Sequence, residues 1–444
     1  MESRYYIHGI LPPVATGVRM TLKCHMPKIK NLKAREILDS RGYPTIETKV
    51  ELDNGLAAIA SVPSGTSTGV HEAWELRDDD MKRYKGMGVL KAIDIIEKKI
   101  IKVVASLEVT KQEEIDQAMI KLDGTENKNK LGANSILSVS SACARAAAKA
   151  QGLELYEYIT KTYKFSEQYR LPTPFFNIFN GGKHADTNLD FQEFMIIPLG
   201  SVSFKEKVRI GAEIYHELGD VLKESAFDTD SGSEGGYAPD LISSMQAIEF
   251  IMAAIVRAGY KPGKEVGLGT DVGSSELYDP RTKEYIFKLD QAHFTKDSLI
   301  GVYNEWLRKF PLISIEDGLA EDDWDGWQEL TKELGNEILL IGDDIFTTST
   351  KRLRQGLKEK IANAVIIKLN QVGTLTEAIE CAQLAQKHNY KLMVSHRSGE
   401  TCDDFIADLA VAINAEYIKA GSLSRGERVI KYNRLMEIED QLIS

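Results

Sequence analysis

The chain is poor in cysteine, in unbroken apolar sequence and in positive charge, and each shortage removes a class of protein. Four cysteines in 444 residues (Cys24, Cys143, Cys381 and Cys402) include no Cys-x-x-Cys pair. They are too few for a disulfide framework, and a reducing compartment fits. No apolar run approaches the roughly 20 residues that a membrane helix needs, so no membrane insertion is expected. Lys+Arg number 55 against Asp+Glu 66, a net charge of −11. That balance argues against a general nucleic-acid binder and for a soluble cytoplasmic protein. A local basic cluster can still recruit a small anionic substrate. There is no short internal repeat and no low-complexity segment.

The rest of the composition is ordinary: 43% hydrophobic and 27% charged, enough to bury a large core. The length predicts two or three domains. Residues 1–25 include Ile10-Leu-Pro-Pro-Val-Ala15, an apolar stretch broken by prolines and without a basic leader. A signal peptide is unconvincing there, and residues 1–25 are expected to be an extension outside the core fold.

Thr45-Ile-Glu-Thr-Lys-Val-Glu-Leu52 alternates as a half-buried strand should, and Asp53-Asn-Gly55 is a strong hairpin signal. Leu56 to Val62 then reads as the returning strand. Helical spacing follows over about 88–122. Asn134 to Gln151 is Ala-rich and reads as a helix with an Asn N-cap and Gly152 as C-cap. Residues 26–165 are thus expected to form an α+β capping domain, an antiparallel sheet followed by helices. Over 166–444 strand-like runs alternate with helices such as Thr374–Asn389 and Asp403–Asn414. That alternation predicts parallel strands with helical crossovers, at the length of a βα barrel.

The most informative feature lies in that second part. Val266-Gly-Leu-Gly-Thr-Asp271, Leu312-Ile-Ser-Ile-Glu316 and Ile338-Leu-Leu-Ile-Gly-Asp343 each end in an acid. Val365-Ile-Ile-Lys368, Leu392-Met-Val-Ser-His396 and Tyr417-Ile-Lys419 end in bases. In a parallel βα barrel the strand C-termini share one face, where chemistry is built. Three acids facing two lysines and a histidine there would make a divalent-metal site beside a proton-transfer lysine. One such charge is ordinarily just a solvated loop start; six in succession are not.

Several nearby patterns are decoys. Gly267-Leu-Gly-Thr-Asp-Val-Gly273 misplaces the third glycine of a dinucleotide fingerprint. Ser64-Gly-Thr-Ser-Thr-Gly69 lacks the Gly-Lys-Ser/Thr ending of a phosphate loop, and suits a lid or a plain surface turn. Asp78-Asp-Asp80 and Glu321-Asp-Asp323 read as solvated faces or first turns of helices. Asp317 and Asp344 follow proposed ligands, and the pleat is expected to turn them away.

Longer segments carry a resemblance. Ala34-Arg-Glu-Ile-Leu-Asp-Ser-Arg-Gly42, Val62-Pro-Ser-Gly-Thr-Ser-Thr-Gly69, Asn180-Gly-Gly-Lys-His-Ala185, Gln192-Glu-Phe194 and Glu234-Gly-Gly-Tyr-Ala-Pro239 resemble the enolase family. So do Ser314-Ile-Glu-Asp317, Gly342-Asp-Asp344, Lys368-Leu-Asn-Gln371, Ser395-His-Arg-Ser-Gly-Glu-Thr401 and Ile418-Lys-Ala-Gly421. They run in the family's order over about residues 29–442. Glu316-Asp-Gly-Leu-Ala-Glu-Asp-Asp-Trp324 and the His184-Ala-Asp186 loop resemble bacterial members more than animal ones.

The resemblance implies a C-terminal βα barrel of the enolase type and the dehydration of 2-phosphoglycerate to phosphoenolpyruvate, in glycolysis and gluconeogenesis. It implies Asp271, Glu316 and Asp343 as ligands of a tighter Mg²⁺, a hard cation suited to oxygen donors. Ser67 would join a second Mg²⁺ that arrives with substrate. Lys368 would take the C2 proton, and nearby Mg²⁺ would favour its neutral form. Glu234, paired with Glu193, would help hydroxide leave C3. Gln192, His184, Arg397, Ser398 and Lys419 would contact substrate; Arg397's planar fork suits phosphate. His396 would share the mouth, in a role the resemblance leaves open. A homodimer or a ring of dimers would follow as well.

One position departs from the pattern. The family usually has Asp immediately before the glutamate of the Glu-Gly-Gly turn; here Ser233 stands there. Retained activity is expected, because the metal ligands and Lys368 are kept. Two other readings stand beside this one. Another superfamily enzyme acting on a different carboxylate would share the barrel acids but not the Ser-Gly-x-Ser-Thr loop or His-Arg-Ser. A catalytically weakened homologue could serve as a structural or surface-binding protein, with a cell-surface or secreted pool. Leu277-Tyr-Asp-Pro-Arg-Thr-Lys-Glu-Tyr285 loosely resembles a segment that binds host plasminogen, although it reads more simply as an exposed turn between strands.

Overall fold

The structure is a computed structural model that describes residues 26–65 and 69–443. The expected extension, residues 1–25, lies outside the described residues, and so does Ser67. The first sheet is an antiparallel meander of β1 (Ile29–Leu38), β2 (Pro44–Leu52) and β3 (Ala57–Ser61). Its hairpin closes at Gly55, whose φ of +87° an L-residue rarely adopts, with Leu52 N–H donating to Leu56 O (2.8 Å).

The helix Ala133–Gln151 packs on this sheet. Its small side chains let helix and sheet approach closely, and Thr48 Oγ1 donates to Ser138 Oγ across the seam (2.8 Å). It ends at Gly152, in the left-handed conformation expected of a C-cap. The expected Asn N-cap is absent. Gly132 takes that position, and Asn134 instead binds Leu76 N–H and O with its side-chain amide (both 3.0 Å). The helical spacing over 88–122 resolves into Leu90–Val104, which includes a π turn, and Gln112–Asp123. The break between them pairs with β1: Ile29 N–H donates to Leu107 O (3.0 Å) and Ser106 N–H to Ile29 O (2.8 Å).

The barrel is closed by eight strands. They are β4 (Thr173–Asn180), β5 (Glu193–Pro198), β6 (Val266–Asp271), β10 (Leu312–Glu316), β11 (Leu339–Gly342), β12 (Ala364–Ile367), β13 (Lys391–Ser395) and β14 (Tyr417–Lys419). A small antiparallel sheet of β7 (Tyr278–Asp279), β8 (Glu284–Phe287) and β9 (Ala292–Phe294) is inserted between β6 and β10. The Leu277–Tyr285 segment thus takes in β7, the turn at residues 280–283 and the start of β8, where Tyr285 is buried.

The barrel departs from the expected all-parallel order at one strand. β5 runs antiparallel to both β4 and β6. The connection from β4 to β5, residues 181–192, carries no α-helical crossover of the kind that usually joins parallel neighbours. Phe175, Met195, Ile197, Ile341, Ala364, Ile366 and Met393 form a fully buried plug inside the barrel. Among the described residues no helix is long and apolar enough to cross a membrane.

Candidate active site

Strand parity decides which side chains reach the mouth. Side chains alternate across a strand, so a residue two beyond a plug residue continues the plug's face. Lys368 stands two beyond Ile366, Asp343 two beyond Ile341, and Lys419 two beyond Tyr417, which packs against the plug. Asp271 and Glu316 close β6 and β10 and pair in register across them. Glu193 is the first residue of β5, not the last. It reaches the same mouth because β5 is reversed, and it pairs with Asn180 at the end of β4 and Asp271 at the end of β6.

Lys419 sits amid carboxylates. Its Nζ lies 2.7 and 2.8 Å from the Glu316 oxygens, 3.2 Å from Glu193 Oε2 and 3.3 Å from Asp271 Oδ2. Burial alone would favour a neutral amine. Glu193, Glu316 and Asp271 outweigh it and hold Lys419 well above its ordinary value. Lys368 donates to Asp343 Oδ2, and Gln371 Nε2 holds the other oxygen at 2.9 Å. Here too burial opposes the charge, and Asp343 raises Lys368 above its ordinary value.

The remaining wall is built around Glu234. Its Oε2 accepts from Asn177 Nδ2 (2.8 Å) and Asn180 Nδ2 (3.3 Å) of β4. His184 Nδ1 lies 3.3 Å from Glu234 Oε2 and 3.4 Å from Glu193 Oε1. Burial disfavours charge on all three. The two carboxylates nonetheless push His184 up to about 10, while Glu193 rises to about 7 through burial and the nearby Glu234 charge, against the pull of Lys419. Glu234 is held well below the usual carboxylate range: burial opposes this, but the charges of His184 and Arg428 overcome it. The shared proton therefore belongs to the His184–Glu193 side.

Arg397, buried, forks onto Glu72 and also donates to Asn370 Oδ1 (2.8 Å). Ser398 and Gln192 are buried beside it in the same mouth. Gln192 lies against Gly273 (φ +59°), where an added Cβ would meet its Nε2 at 2.3 Å. His396 Nε2 stands 3.9 Å from Glu234 Oε1. Asp317, expected to turn away, instead lines the mouth: its oxygens accept from Asp343 N–H and Asp344 N–H, each 3.0 Å. The chain has already left β10 at Asp317 (φ 42°), so strand parity no longer applies. Asp323 caps the helix Trp324–Leu334, as its charge run suggested.

Sequence reading missed Glu72, Asn177, Asn180, Gln371 and Arg428. The two asparagines left a signal, as polar residues within an otherwise apolar strand. Arg428, on the helix Gly426–Ile443, left none.

The donor set fits a divalent cation. Asp271, Glu316 and Asp343 are buried carboxylates on or just beyond three adjacent barrel strands. Burial and the charges of Asp271 and Asp343 raise Glu316 well above its ordinary value, against Lys419. That repulsion is what a cation relieves, and all-oxygen donors suit a hard one. Among the described residues, the groups whose ligand atoms lie within 4.8 Å of one another are Asp317, Asp343 and Asp344, and His184, Glu193 and Glu234; of the three expected ligands only Asp343 is among them.

A closed βα barrel with one reversed strand and a mouth of buried acids, lysines and histidines defines a class of barrel proteins able to hold a metal. Comparison with known families narrows the class. A model described as the enolase C-terminal TIM barrel domain matches residues 168–444, and one described as the enolase N-terminal domain matches 29–159. The chain belongs to the enolase family.

Proposed function

We propose that this chain is a phosphopyruvate hydratase of bacterial type, reversibly dehydrating 2-phosphoglycerate to phosphoenolpyruvate in glycolysis and gluconeogenesis. The observation that carries this reading is the placement of a base and an acid on opposite walls. Lys368, just beyond β12, and Glu193, on β5, stand opposite in the eight-strand ring, with three strands between them in either direction. Glu234 is held on the β4–β5 side. A substrate between them loses its C2 proton to one wall and its C3 hydroxide to the other.

Lys368 Nζ takes the C2 proton, and the C–H electron pair moves into the substrate carboxylate. The C2–C3 double bond then forms as the C3–O bond breaks, and the hydroxide leaves as water with a proton delivered at Glu234. Glu234 holds no proton at rest, so His184 and Glu193 beside it are the reservoir. Lys368 must be neutral to act, and its bond to Asp343 opposes that; Asp343 has to find another counter-charge first. Asp271, Glu316 and Asp343 would hold one Mg²⁺, and Ser67 would join a second bound with substrate. When bound, these ions supply positive charge for the developing carboxylate dianion. Arg397 with Ser398 binds the phosphate, and Lys419, Gln192, His184 and His396 line the rest of the pocket. The protein works in the cytoplasm as a homodimer or a ring of dimers, which sedimentation analysis would test.

The deciding experiment follows phosphoenolpyruvate formation from 2-phosphoglycerate with Mg²⁺, with and without a chelator. Turnover abolished by the chelator supports the reading. Folded, Mg²⁺-loaded protein with no turnover overturns it and favours a non-catalytic member of the family.

A further inference from the structure

Arg428, on the helix Gly426–Ile443, carries a charge with no exposure to solvent. Its Nη1 lies 2.6 Å from His396 Nδ1 and 2.7 Å from Arg397 O. Its Nη2 reaches Ser398 O (2.6 Å), Ser233 O (2.9 Å) and Ser40 Oγ (3.4 Å), and its Nε faces Glu427 Oε1 at 3.5 Å. One guanidinium therefore joins the loop carrying His396, Arg397 and Ser398 to the turn carrying Glu234.

A guanidinium has five N–H donors and no acceptor. Whatever nitrogen meets it at 2.6 Å has to accept, so His396 Nδ1 bears no proton and the ring's one N–H is at Nε2. We infer that Arg428 is a positioning residue: it fixes His396 as the neutral Nε2–H tautomer, with that N–H turned toward Glu234.

The electrostatics agree. Burial, then the charges of Arg428, Lys419 and Lys368, hold His396 well below its ordinary value against the pull of Glu234. His396 and His184 are thereby set apart, although both face Glu234. His184 is the charged ring and can give up a proton. His396 is a fixed neutral donor. The 3.9 Å from its Nε2 to Glu234 Oε1 is too long for a direct hydrogen bond, so the N–H is free to meet a substrate oxygen between them. This last consequence rests on the proposed dehydration, in which the oxygen is the departing C3 hydroxyl. The tautomer does not.

Long-range ¹H–¹⁵N correlation spectra of histidine-labelled protein test the inference, with His396→Gln assigning the ring. The expected wild-type pattern is an unprotonated, hydrogen-bonded Nδ1 and a protonated Nε2, unchanged from neutral into mildly acidic pH. A protonated Nδ1 or an imidazolium overturns it. Arg428→Lys keeps the charge but loses the fork, and is expected to give a mixture of tautomers; a ring still wholly Nε2–H removes Arg428 from the role. Should that variant fail to fold, Glu234→Gln decides between the two partners of the ring. The tautomer is expected to persist there, and its loss would assign control to Glu234 instead. These spectra do not depend on turnover, so an inactive protein would fail the proposed function while leaving the tautomer testable.

Discussion

Arg397 and Glu72 meet fork to fork, with Nη1 2.8 Å from Oε2 and Nη2 3.1 Å from Oε1. Glu72 comes from the N-terminal part of the chain and Arg397 from the barrel mouth, and both side chains are nearly inaccessible. A carboxylate thus engages the guanidinium proposed to receive the substrate phosphate. Bidentate, charge-assisted pairs are among the stronger polar contacts, so phosphate has to displace this one.

Glu72→Gln should therefore tighten substrate binding. The amide keeps the shape and removes the competing charge. KM for 2-phosphoglycerate is expected to fall roughly threefold to tenfold, about 1 kcal/mol. A KM that rises would show that Glu72 organises Arg397 instead of competing for it.

The proposed base and acid can be separated by isotope exchange. Lys368→Ala should abolish exchange of the substrate C2 hydrogen with deuterated solvent. Glu234→Gln should retain that exchange while dehydration slows by roughly 10²–10⁴-fold. Equal loss of exchange in both variants would contradict the division of roles.

Divalent cation should stabilise the fold independently of turnover. Mg²⁺ at about 100 times its Kd is expected to add about 2.7 kcal/mol, read as a rise in the thermal midpoint. Asp271→Asn should remove most of that rise. An undiminished rise in the variant would place the cation elsewhere, with the Asp317, Asp343 and Asp344 group the next to test.

Ser233 has a structural account. Its N–H and its Oγ both bond to His184 O at 2.9 Å, which ties the Glu234 turn to the His184 loop. A carboxylate cannot make the Oγ bond without first taking up a proton. Ser233→Asp is thus expected to leave turnover unchanged or lower, and Ser233→Ala to lower it by less than about tenfold, the worth of one hydrogen bond at about 1 kcal/mol. A Ser233→Asp variant more than about tenfold faster, again above the free energy of one such bond, would mark Ser233 as a lesion.

Asp116 predicts a pH dependence of stability. It is fully buried, accepts from Thr376 N–H (3.0 Å) and Thr376 Oγ1 (2.6 Å), and joins the helix Gln112–Asp123 to the start of Leu375–Lys387. Burial pushes it up to about 6, against these hydrogen bonds. A raised folded value means the protonated form is favoured in the fold. Its stabilisation is complete below the usual carboxylate value and is lost as pH rises through about 6, on the order of 3 kcal/mol. Urea midpoints on either side of that pH should differ more in the wild type than in Asp116→Asn. Equal differences would exclude Asp116 as a source.

Much of the site was legible because chemistry at a strand end leaves a periodic trace. An apolar run that stops at a charge marks a mouth residue whatever the rest of the fold does, and Asp271, Glu316, Asp343, Lys368, His396 and Lys419 were found that way. Glu193 left no such trace. It begins its strand, and period and hydropathy do not reveal which way a strand runs. Asn134 was misread as a cap because capping preference is local, while Leu76 offered its side chain two partners from far along the chain.

By itself the sequence determined the alternation of elements, the faces of the strands and the set of charges available, since these follow from the spacing of residues along one chain. Tertiary structure decided which charges answer which. Lys419 is placed among Glu193, Asp271 and Glu316, Lys368 on Asp343, and Arg428 on His396, each pair joining distant parts of the chain. Such pairings set where protons reside because the barrel interior excludes water, and there burial and the neighbouring charges together outweigh the residue's ordinary value.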